Sequence, residues 1–201
     1  MSTGTHRVLI LGAGYAGMAA ATQLAARTRR ADVRVTVVNA QERFSERLRL
    51  HMTATGQRLA ELNIPHLLAG AGAQFVRGWV TAVDTDAKTV RVDDSRVLRY
   101  DTLVYALGSV TDTAAVLGVE EHAYTLDGPG GARTLADRLG RVGAGTVVVV
   151  GSGLTGVEAA AEIAERHPEA GVTLVGQQDP GAGMNPKARA YLRAAVDRRW
   201  R

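Results

Sequence analysis

Three glycines near the N-terminus, Gly12, Gly14 and Gly17, have the spacing G-x-G-x-x-G and directly follow a short apolar run at residues 8–11. Gly12 permits a tight turn from strand to helix, Gly14 has no Cβ to block a pyrophosphate, and Gly17 lets the helix pack closely on the strand. The free N–H groups and positive end of that helix then face the phosphates. The pattern predicts a dinucleotide-binding turn, with a purely structural turn as the alternative because the motif alone is weak.

The same pattern returns later in the chain. A valine run at residues 147–150 precedes Gly151, Gly153 and Gly156, each 139 residues after its counterpart, as from Gly12 to Gly151. An alanine-rich helix up to Arg166 and a β-branched strand at 172–175 follow. Because strand, turn, helix and strand occur twice in the same order, the sequence predicts two βαβ dinucleotide-binding units.

The elements after the first turn complete its βαβ unit. Residues 16–29 carry alanine and leucine at helical spacing, and residues 33–38 alternate as a β-branched strand. A dinucleotide site usually has Asp or Glu after this strand to accept from a ribose hydroxyl, whereas this chain has Asn39 and Ala40. The amide oxygen of Asn39 can still accept that hydrogen bond, although Asn39 could also merely turn the chain.

A basic segment at residues 43–56 follows, too polar for a core strand. Its cations could line the route of a diphosphate or a flavin edge, or form a solvated helix face. Arg49 with His51 is the preferred cofactor-contacting pair. The candidate side chains are Arg43, Arg47, Arg49 and His51.

Short elements fill the middle of the chain. Residues 59–68 predict a short helix interrupted by Pro65. An apolar strand at 101–109 ends in a small-residue turn, where a cofactor could approach the backbone. Three β-rich runs predict a small antiparallel meander: 75–84, 89–92 and 97–100.

Composition narrows the function classes. The 201 residues are 46% hydrophobic with a net charge of +4, but their cations are scattered and aromatics make up only 4%, which disfavours nucleic-acid binding. The absence of cysteine excludes disulfides, thiolate-bound metal and a catalytic cysteine pair from these residues, and no metal site is expected. No apolar run has transmembrane length and the N-terminus does not read as a signal peptide, so we expect a cytoplasmic protein.

Four motifs together carry a family resemblance: GAGYAG, the meander, YDTLVYALGS and VVVVGSGLTGVEAAAEIAE. They resemble the two-dinucleotide-binding-domain flavoproteins of the pyridine nucleotide-disulfide oxidoreductase superfamily, and most of all the FAD-containing type II NADH dehydrogenases. The resemblance implies an α/β fold with two Rossmann-like βαβ units and an inserted antiparallel meander at about 75–100. It divides the chain into an FAD-binding domain at 1–112 and an incomplete NAD(P)H-binding domain at 113–201.

The resemblance also implies cofactor contacts in the first domain. The glycine turn would hold the FAD pyrophosphate, Asn39 would meet the adenosine ribose, and the backbone of Val80 would meet the adenine. Residues 106–108 match the Ala-Thr-Gly turn of the family, with Leu in place of Thr. The expected FAD-binding residues are Gly12, Gly14, Tyr15, Ala16, Gly17, Asn39, Ala40, Arg49, Val80, Ala106, Leu107 and Gly108.

In the second domain, the resemblance implies that the repeated turn binds NAD(P)H and that Glu158, as the catalytic carboxylate, sits near nicotinamide and flavin. From the residues alone, a carboxylate in the first turn of a helix is favoured by the helix dipole without any ligand. Glu162, one turn later, is expected to be solvated. After the last strand, Gly176-Gln177-Gln178 provides neither an acid for NADH nor an arginine for a 2′-phosphate. The turn residues are Gly151, Gly153, Leu154, Thr155 and Gly156.

The implied activity is hydride transfer from NAD(P)H to flavin and then to a quinone or another small acceptor, without a disulfide relay because the sequence has no cysteine pair. Family members continue beyond the length of this chain, which looks C-terminally truncated and ends in an ordinary basic helix predicted at 187–201. We therefore expect weak FAD binding and a homo-oligomer or partner that completes the fold. The complete form could lie at the inner face of a membrane. The alternatives are a non-catalytic dinucleotide-binding module and a half-enzyme that needs a partner chain.

Overall fold

The protein, seen in a computed structural model, is described over residues 4–199. The strands of this range are β1 (His6–Leu11), β2 (Val33–Asn39), β3 (Gln74–Arg77), β4 (Val80–Asp84), β5 (Thr89–Val92), β6 (Arg96–Arg99), β7 (Thr102–Tyr105), β8 (Thr146–Val150) and β9 (Gly171–Val175). Its α-helices are α1 (Tyr15–Thr28), α2 (Leu50–Ala54), α3 (Ile64–Ala71), α4 (Val119–His122), α5 (Pro129–Leu139), α6 (Leu154–Arg166) and α7 (Pro186–Arg199), and a 3₁₀ turn at Arg47–Arg49 precedes α2.

The chain forms two compact units. The first unit contains the described residues up to Ser45 together with Ala60–Ser109. The second contains Glu46–Leu59 and the described residues from Val110 onward. The predicted domain boundary, between residues 112 and 113, is close to the later of these divisions, and residues 1–3 and 200–201 of the two predicted domains lie outside the described range.

The first unit is built on a parallel sheet with the strand order β3-β2-β1-β7. Strands β1 and β2 pair in parallel with Val8 opposite Val35 and Ile10 opposite Val37, and all four side chains are buried. Ile64 and Leu68 of α3 complete the same hydrophobic cluster. Strands covered in this way read as nearly continuous apolar runs, which is why residues 8–11 were recognisable in the sequence.

Strands β4, β5 and β6 form the predicted antiparallel meander, but the first predicted run was wrong as one strand. Residues 75–84 split at Gly78, which has a φ of +158°. The part before Gly78 is β3, which pairs in parallel with β2, and the part after it is β4, which pairs with β5. Both parts are β-rich, so their composition did not show that they enter different sheets.

The prediction for residues 59–68 was also wrong in its bounds. Helix α3 begins at Ile64, so Pro65 lies in its first turn, where a missing N–H costs nothing. Asn63 caps the helix because its side-chain oxygen accepts from the N–H of His66 at 2.8 Å. Pro65 therefore lies in the first turn of the helix that it was expected to interrupt.

The second unit contains the repeated βαβ element. Strands β8 and β9 pair in parallel, with Val148 opposite Thr173 and Val150 opposite Val175. Helix α6 connects them and buries its alanine-rich face. Together with the first sheet, this element confirms the predicted α/β fold with two Rossmann-like units and a small meander.

A second core within this unit comes from an early part of the chain. Leu50 and Ala54 of α2 are buried with Ala132 of α5. The sequence did not predict α5, whose buried face is small. Of the helices in the described range, none has both the length and the apolar character that crossing a membrane requires. The last helix, predicted at 187–201, runs from Pro186 to Arg199, and residues 200–201 lie outside the described range.

Candidate functional site

The first glycine turn joins β1 to α1, and two of its glycines lie too close to backbone atoms for a side chain to fit. Gly12 has a φ of +94°, and a Cβ added to it would lie 2.2 Å from the carbonyl oxygen of Ala106. A Cβ on Gly17 would lie 1.9 Å from the carbonyl oxygen of Gly12. These distances confirm the structural roles expected for Gly12 and Gly17, since any larger residue would displace backbone.

Gly14 differs from Gly12 and Gly17, the other two glycines of this turn. A Cβ on Gly14 would meet nothing within 4 Å, so protein packing does not account for a glycine here. Gly14 is also the N-cap of α1, where it provides no side chain to the first N–H groups of the helix. An open backbone at a helix N-terminus fits an anionic phosphate, which these N–H groups can bind.

The second turn repeats this geometry. Gly151 has a φ of +114°, and a Cβ on Gly156 would lie 1.8 Å from the carbonyl oxygen of Gly151. A Cβ on Gly153, the N-cap of α6, would again meet nothing within 4 Å. Each turn therefore has a glycine packed against the carbonyl oxygen of its first glycine and an open glycine at the helix start, but a Cβ on Gly151, unlike one on Gly12, would meet nothing within 4 Å.

The sequence pattern of the pyridine nucleotide-disulphide oxidoreductases matches residues 6–199, which include both turns. The chain belongs to this family. Type II NADH:quinone oxidoreductase from Staphylococcus aureus is 31% identical over 184 residues, and the match covers 84% of this chain and 46% of that protein. The chain thus spans about half the length of the curated relatives it matches, and the resemblance to type II NADH dehydrogenases is confirmed.

Solved structures of several oxidoreductases share the fold of this chain. Sulfide:quinone oxidoreductase from Aquifex aeolicus matches with a TM-score of 0.78 at 20% identity, over 96% of this chain and 49% of that one. NDH2 from Plasmodium falciparum in complex with NADH matches with a TM-score of 0.79 at 19% identity, over 96% of this chain and 46% of that one. At these identities the likeness shows a common architecture.

Asn39, the expected ribose contact, is engaged with the first turn itself. Its Oδ1 accepts from the N–H of Ala13 at 3.0 Å, and its Nδ2 donates to the carbonyl oxygen of Gln41 at 2.8 Å. The amide therefore links the end of β2 to the glycine turn, which supports the alternative that Asn39 shapes the chain. One lone pair of Oδ1 remains for a ribose hydroxyl, so that contact stays a prediction.

Other predicted FAD contacts also lie in the first unit. The ring of Tyr15 packs edge-on against Phe44 with centroids 5.1 Å apart. The N–H of Ala106 donates to the carbonyl oxygen of Leu11 at 2.8 Å, which holds residues 106–108 beside the end of β1. Val80 begins β4, and its side chain packs on the buried cluster under the meander.

An ion pair at the opposite end of the sheet holds β1 to β7. Arg7 donates to Asp101 from Nη2 at 2.9 Å and from Nε at 3.0 Å. The backbone N–H of Arg7 donates to the same carboxylate at 2.8 Å. These hydrogen bonds from Arg7 hold the pKa of Asp101 well below its ordinary value. The pair therefore stabilises the pairing of the two strands that lead to the first turn and to residues 106–108.

The basic segment at 43–56 does not stay in one unit. Arg43 belongs to the first unit, where its Nη1 lies 3.0 Å from Oε1 of Glu61, whereas Arg47, Arg49 and His51 belong to the second. Arg49 contacts Glu46 at 3.3 Å within its own turn. A contact between Arg49 and FAD remains a prediction.

The structure places His51 against the predicted catalytic carboxylate. Nδ1 of His51 lies 3.7 Å from Oε2 of Glu158, with side chains 16% and 54% exposed. The sequence analysis paired His51 with Arg49 and did not predict its contact with Glu158. His51 and Glu158 are far apart in the chain, and no local pattern joins them. His51 is thus a partly buried side chain that faces a carboxylate of the same unit, and its predicted contact with a cofactor stays a prediction.

Glu162 is not the solvated residue that was expected. Its Oε1 accepts from Nε2 of Gln57 at 2.5 Å and from Nε of Arg166 at 3.3 Å. Its side chain is only 22% exposed because residues from 46–59 pack beside α6. The same face of α6 thus presents Glu158 and Glu162 to this segment, and Glu158 keeps the greater access to solvent.

Proposed function

We propose that this chain is the two-dinucleotide part of an FAD-dependent NAD(P)H oxidoreductase, with FAD held by the first unit and NAD(P)H by the second. The observation that carries the proposal is the repeated turn. In each copy one glycine packs against the carbonyl oxygen of the first glycine, and another opens the helix N-terminus to a ligand. Family membership over residues 6–199 supports assigning both turns to dinucleotides.

For the first unit, we propose that the N–H groups at the start of α1 hold the FAD pyrophosphate. The open space at Gly14 supports this role, and Tyr15 and Ala16 begin the helix there. The adenosine side would be bound by residues after β2 and at the start of β4. The proposed residues are Gly12, Gly14, Tyr15, Ala16, Gly17, Asn39, Ala40, Val80, Ala106, Leu107 and Gly108.

For the second unit, the N–H groups at the start of α6 would hold the NAD(P)H pyrophosphate. Leu154 and Thr155 are exposed in the first turn of α6, next to the open Gly153. Glu158 lies on the next turn with half of its side chain accessible, which supports a role near the reactive end of the nucleotide. His51 would orient the carboxylate of Glu158. The proposed turn residues are Gly151, Gly153, Leu154, Thr155 and Gly156.

When bound, FAD would supply the two-electron redox chemistry that links the reduced nicotinamide to a second substrate. The protein's part is to bind and orient the two dinucleotides through backbone N–H groups. A quinone is the proposed acceptor because the Staphylococcus aureus relative is named an NADH:quinone oxidoreductase. Since the chain covers 46% of that relative, the acceptor and the activity of the whole protein are part of the proposal.

A dinucleotide-binding half that needs a partner chain is the second candidate. One face of the β8–β9 sheet favours it, because Val148 and Val150 are 56% and 82% exposed. Apolar side chains on a parallel sheet are normally covered. A separate chain that carries the remaining parts of the enzyme would cover this face, whereas a homo-oligomer would cover it without adding those parts.

Flavin binding by the purified chain tests the proposal. FAD would be titrated and followed by quenching of its fluorescence, and the complex would then be mixed anaerobically with NADH or NADPH. We expect saturable micromolar binding and bleaching of the flavin absorption after the nucleotide is added. Binding of FAD without bleaching would favour the partner-dependent half. No binding of FAD at any concentration would overturn the flavoprotein assignment for this chain.

A further inference from the structure

Packing explains why the residue directly after β9 is not Asp or Glu. Dinucleotide-binding units that prefer NADH place Asp or Glu after this strand, where the carboxylate accepts from the ribose 2′-hydroxyl. Here the strand is followed by Gly176, and a Cβ on Gly176 would lie 2.1 Å from Oγ and 2.4 Å from Cβ of Ser152. Position 176 therefore cannot carry an acidic side chain unless Ser152 moves.

Ser152 also holds the next residues of the loop against the second glycine turn. Its Oγ donates to the carbonyl oxygen of Gln178 at 2.6 Å. The N–H of Gly151 donates to the carbonyl oxygen of Val175 at 2.7 Å. Residues 176–178 thus lie beside the turn proposed to bind the pyrophosphate, and the adenosine ribose of a bound nucleotide would face the loop that follows.

The first charged residue after β9 is Asp179, and two cations of α7 neutralise it. Arg193 hydrogen-bonds Oδ2 of Asp179, and Nη2 of Arg189 lies 3.8 Å from the same oxygen. Among the described side chains, two guanidinium groups for one carboxylate leave an excess positive charge beside the loop. A hydroxyl gains little from a carboxylate that is already paired, whereas a phosphate dianion gains from the two arginines.

The start of α7 is fixed to the loop that carries Asp179. Asn185 precedes the helix, and its Oδ1 accepts from the N–H of Ala188 at 2.9 Å. A Cβ on Gly181 would lie 3.0 Å from Cδ2 of Leu192, so the loop packs closely on the helix. Arg189 and Arg193 are one turn apart, and their positions relative to the loop therefore follow from packing as well as from charge.

We propose that the second unit prefers NADPH to NADH, with Arg189 and Arg193 as the cations that bind the 2′-phosphate in exchange for Asp179. The inference rests on the proposed function, in which this unit binds a reduced nicotinamide dinucleotide. It assigns the nucleotide choice that the sequence left open, because residues 176–178 themselves provide neither an acid nor a cation.

Direct binding of both nucleotides to the full chain tests this inference without any need for turnover. NADPH and NADH would be titrated separately by isothermal calorimetry, with wild-type protein and with the variants Arg189→Ala and Arg193→Ala. The wild type should bind NADPH more tightly than NADH. Each arginine variant should weaken NADPH about tenfold, the size of one lost charged hydrogen bond, and change NADH by less than about twofold.

Two further variants separate binding from structure. Lys187→Ala removes a cation of the same helix that is not among the ion-pair partners of Asp179 in the described part of the chain, and it should leave both affinities unchanged. Asp179→Asn removes the competing carboxylate and should tighten NADPH roughly twofold to fivefold. Circular dichroism would verify that every variant is folded.

The outcomes distinguish the inference from the function on which it rests. Tighter binding of NADH by the wild type, or equal weakening of both nucleotides by the arginine variants, would overturn the NADPH preference while leaving the dinucleotide site in place. Failure of the wild type to bind either nucleotide would overturn the proposed function of the second unit and the inference with it.

Discussion

Nδ1 of His51 lies 3.7 Å from Oε2 of Glu158, so α2 presents an imidazole ring to the carboxylate that we propose acts near the nicotinamide. Glu158→Gln keeps the size of the side chain but removes its charge. If the charge contributes to the reaction, the rate of flavin reduction by NADPH should fall about tenfold or more, with little change in stability because the side chain is half exposed. Stopped-flow absorbance of the FAD-loaded chain measures this rate.

Two substitutions of His51 test its contact with Glu158 independently. Asparagine can place a donor near the position of Nδ1, whereas leucine fills the space without one. His51→Asn should therefore keep most of the rate of flavin reduction. His51→Leu should lower that rate by about as much as Glu158→Gln does. Equal rates for His51→Leu and the wild type would show that the ring only packs.

The two glycines of the first turn should respond differently to alanine. Gly17→Ala places a Cβ 1.9 Å from a backbone oxygen and should lower the free energy of unfolding by about 3 kcal/mol or more. Gly14→Ala points into open space and should lower it by less than about 1 kcal/mol, but weaken FAD at least about tenfold. Urea denaturation and FAD titration of both variants measure the two effects. Unchanged FAD affinity in Gly14→Ala would contradict a phosphate at this turn.

Two neighbouring leucines test whether residues 46–59 belong to the core of the second unit. Leu50 is 2% exposed against Ala132, and Leu48 is 70% exposed. Leu50→Ala should cost about 2–5 kcal/mol of unfolding free energy, whereas Leu48→Ala should change it by about 0.5 kcal/mol or less. Equal effects in chemical denaturation would mean that α2 does not pack there.

The ion pair between Arg7 and Asp101 makes part of the stability depend on pH. Hydrogen bonds from Arg7 hold the pKa of Asp101 below its ordinary 3.8 in the folded state. A carboxyl with a lower pKa in the folded state stabilises the protein above its unfolded pKa, and this contribution is lost as pH falls towards the folded pKa. Asp101→Asn should therefore lower the denaturation midpoint at pH 7, and its difference from the wild type should shrink below about pH 4.

The exposed Asp86 provides the control for this pH dependence. Asp86→Asn should have the same midpoint as the wild type at both pH values. If Asp101→Asn kept its full effect at acid pH, the stabilisation would come from packing and not from the charge of the carboxylate.

The repeated units could be predicted because their signals are local. Strands β1 and β8 are short apolar runs next to glycine turns, and the helices after them repeat alanine at helical spacing, so their bounds differ from prediction by one or two residues. The packing roles of Gly12 and Gly17 followed from the same turn geometry.

The remaining features depend on contacts between distant parts of the chain. The alternation of residues 75–84 does not say which sheet each half joins, and only the backbone at Gly78 separates β3 from β4. The contact of His51 with Glu158 and the burial of Leu50 depend on tertiary packing, which leaves no periodic pattern in the sequence. Helix α5 was missed for a related reason, since it buries only Ala132 and Leu139 fully.

The interleaved order of the two units constrains how the chain folds during its synthesis. Residues 46–59 leave the ribosome before the first unit is complete, but the helix they pack against, α5, begins only at Pro129. The first unit can form once β7 has emerged, while α2 must wait with its apolar face uncovered. A gene fragment that starts at residue 110 would for the same reason lack part of the core it needs, whereas moving residues 46–59 onto its N-terminus through a flexible linker would restore that core.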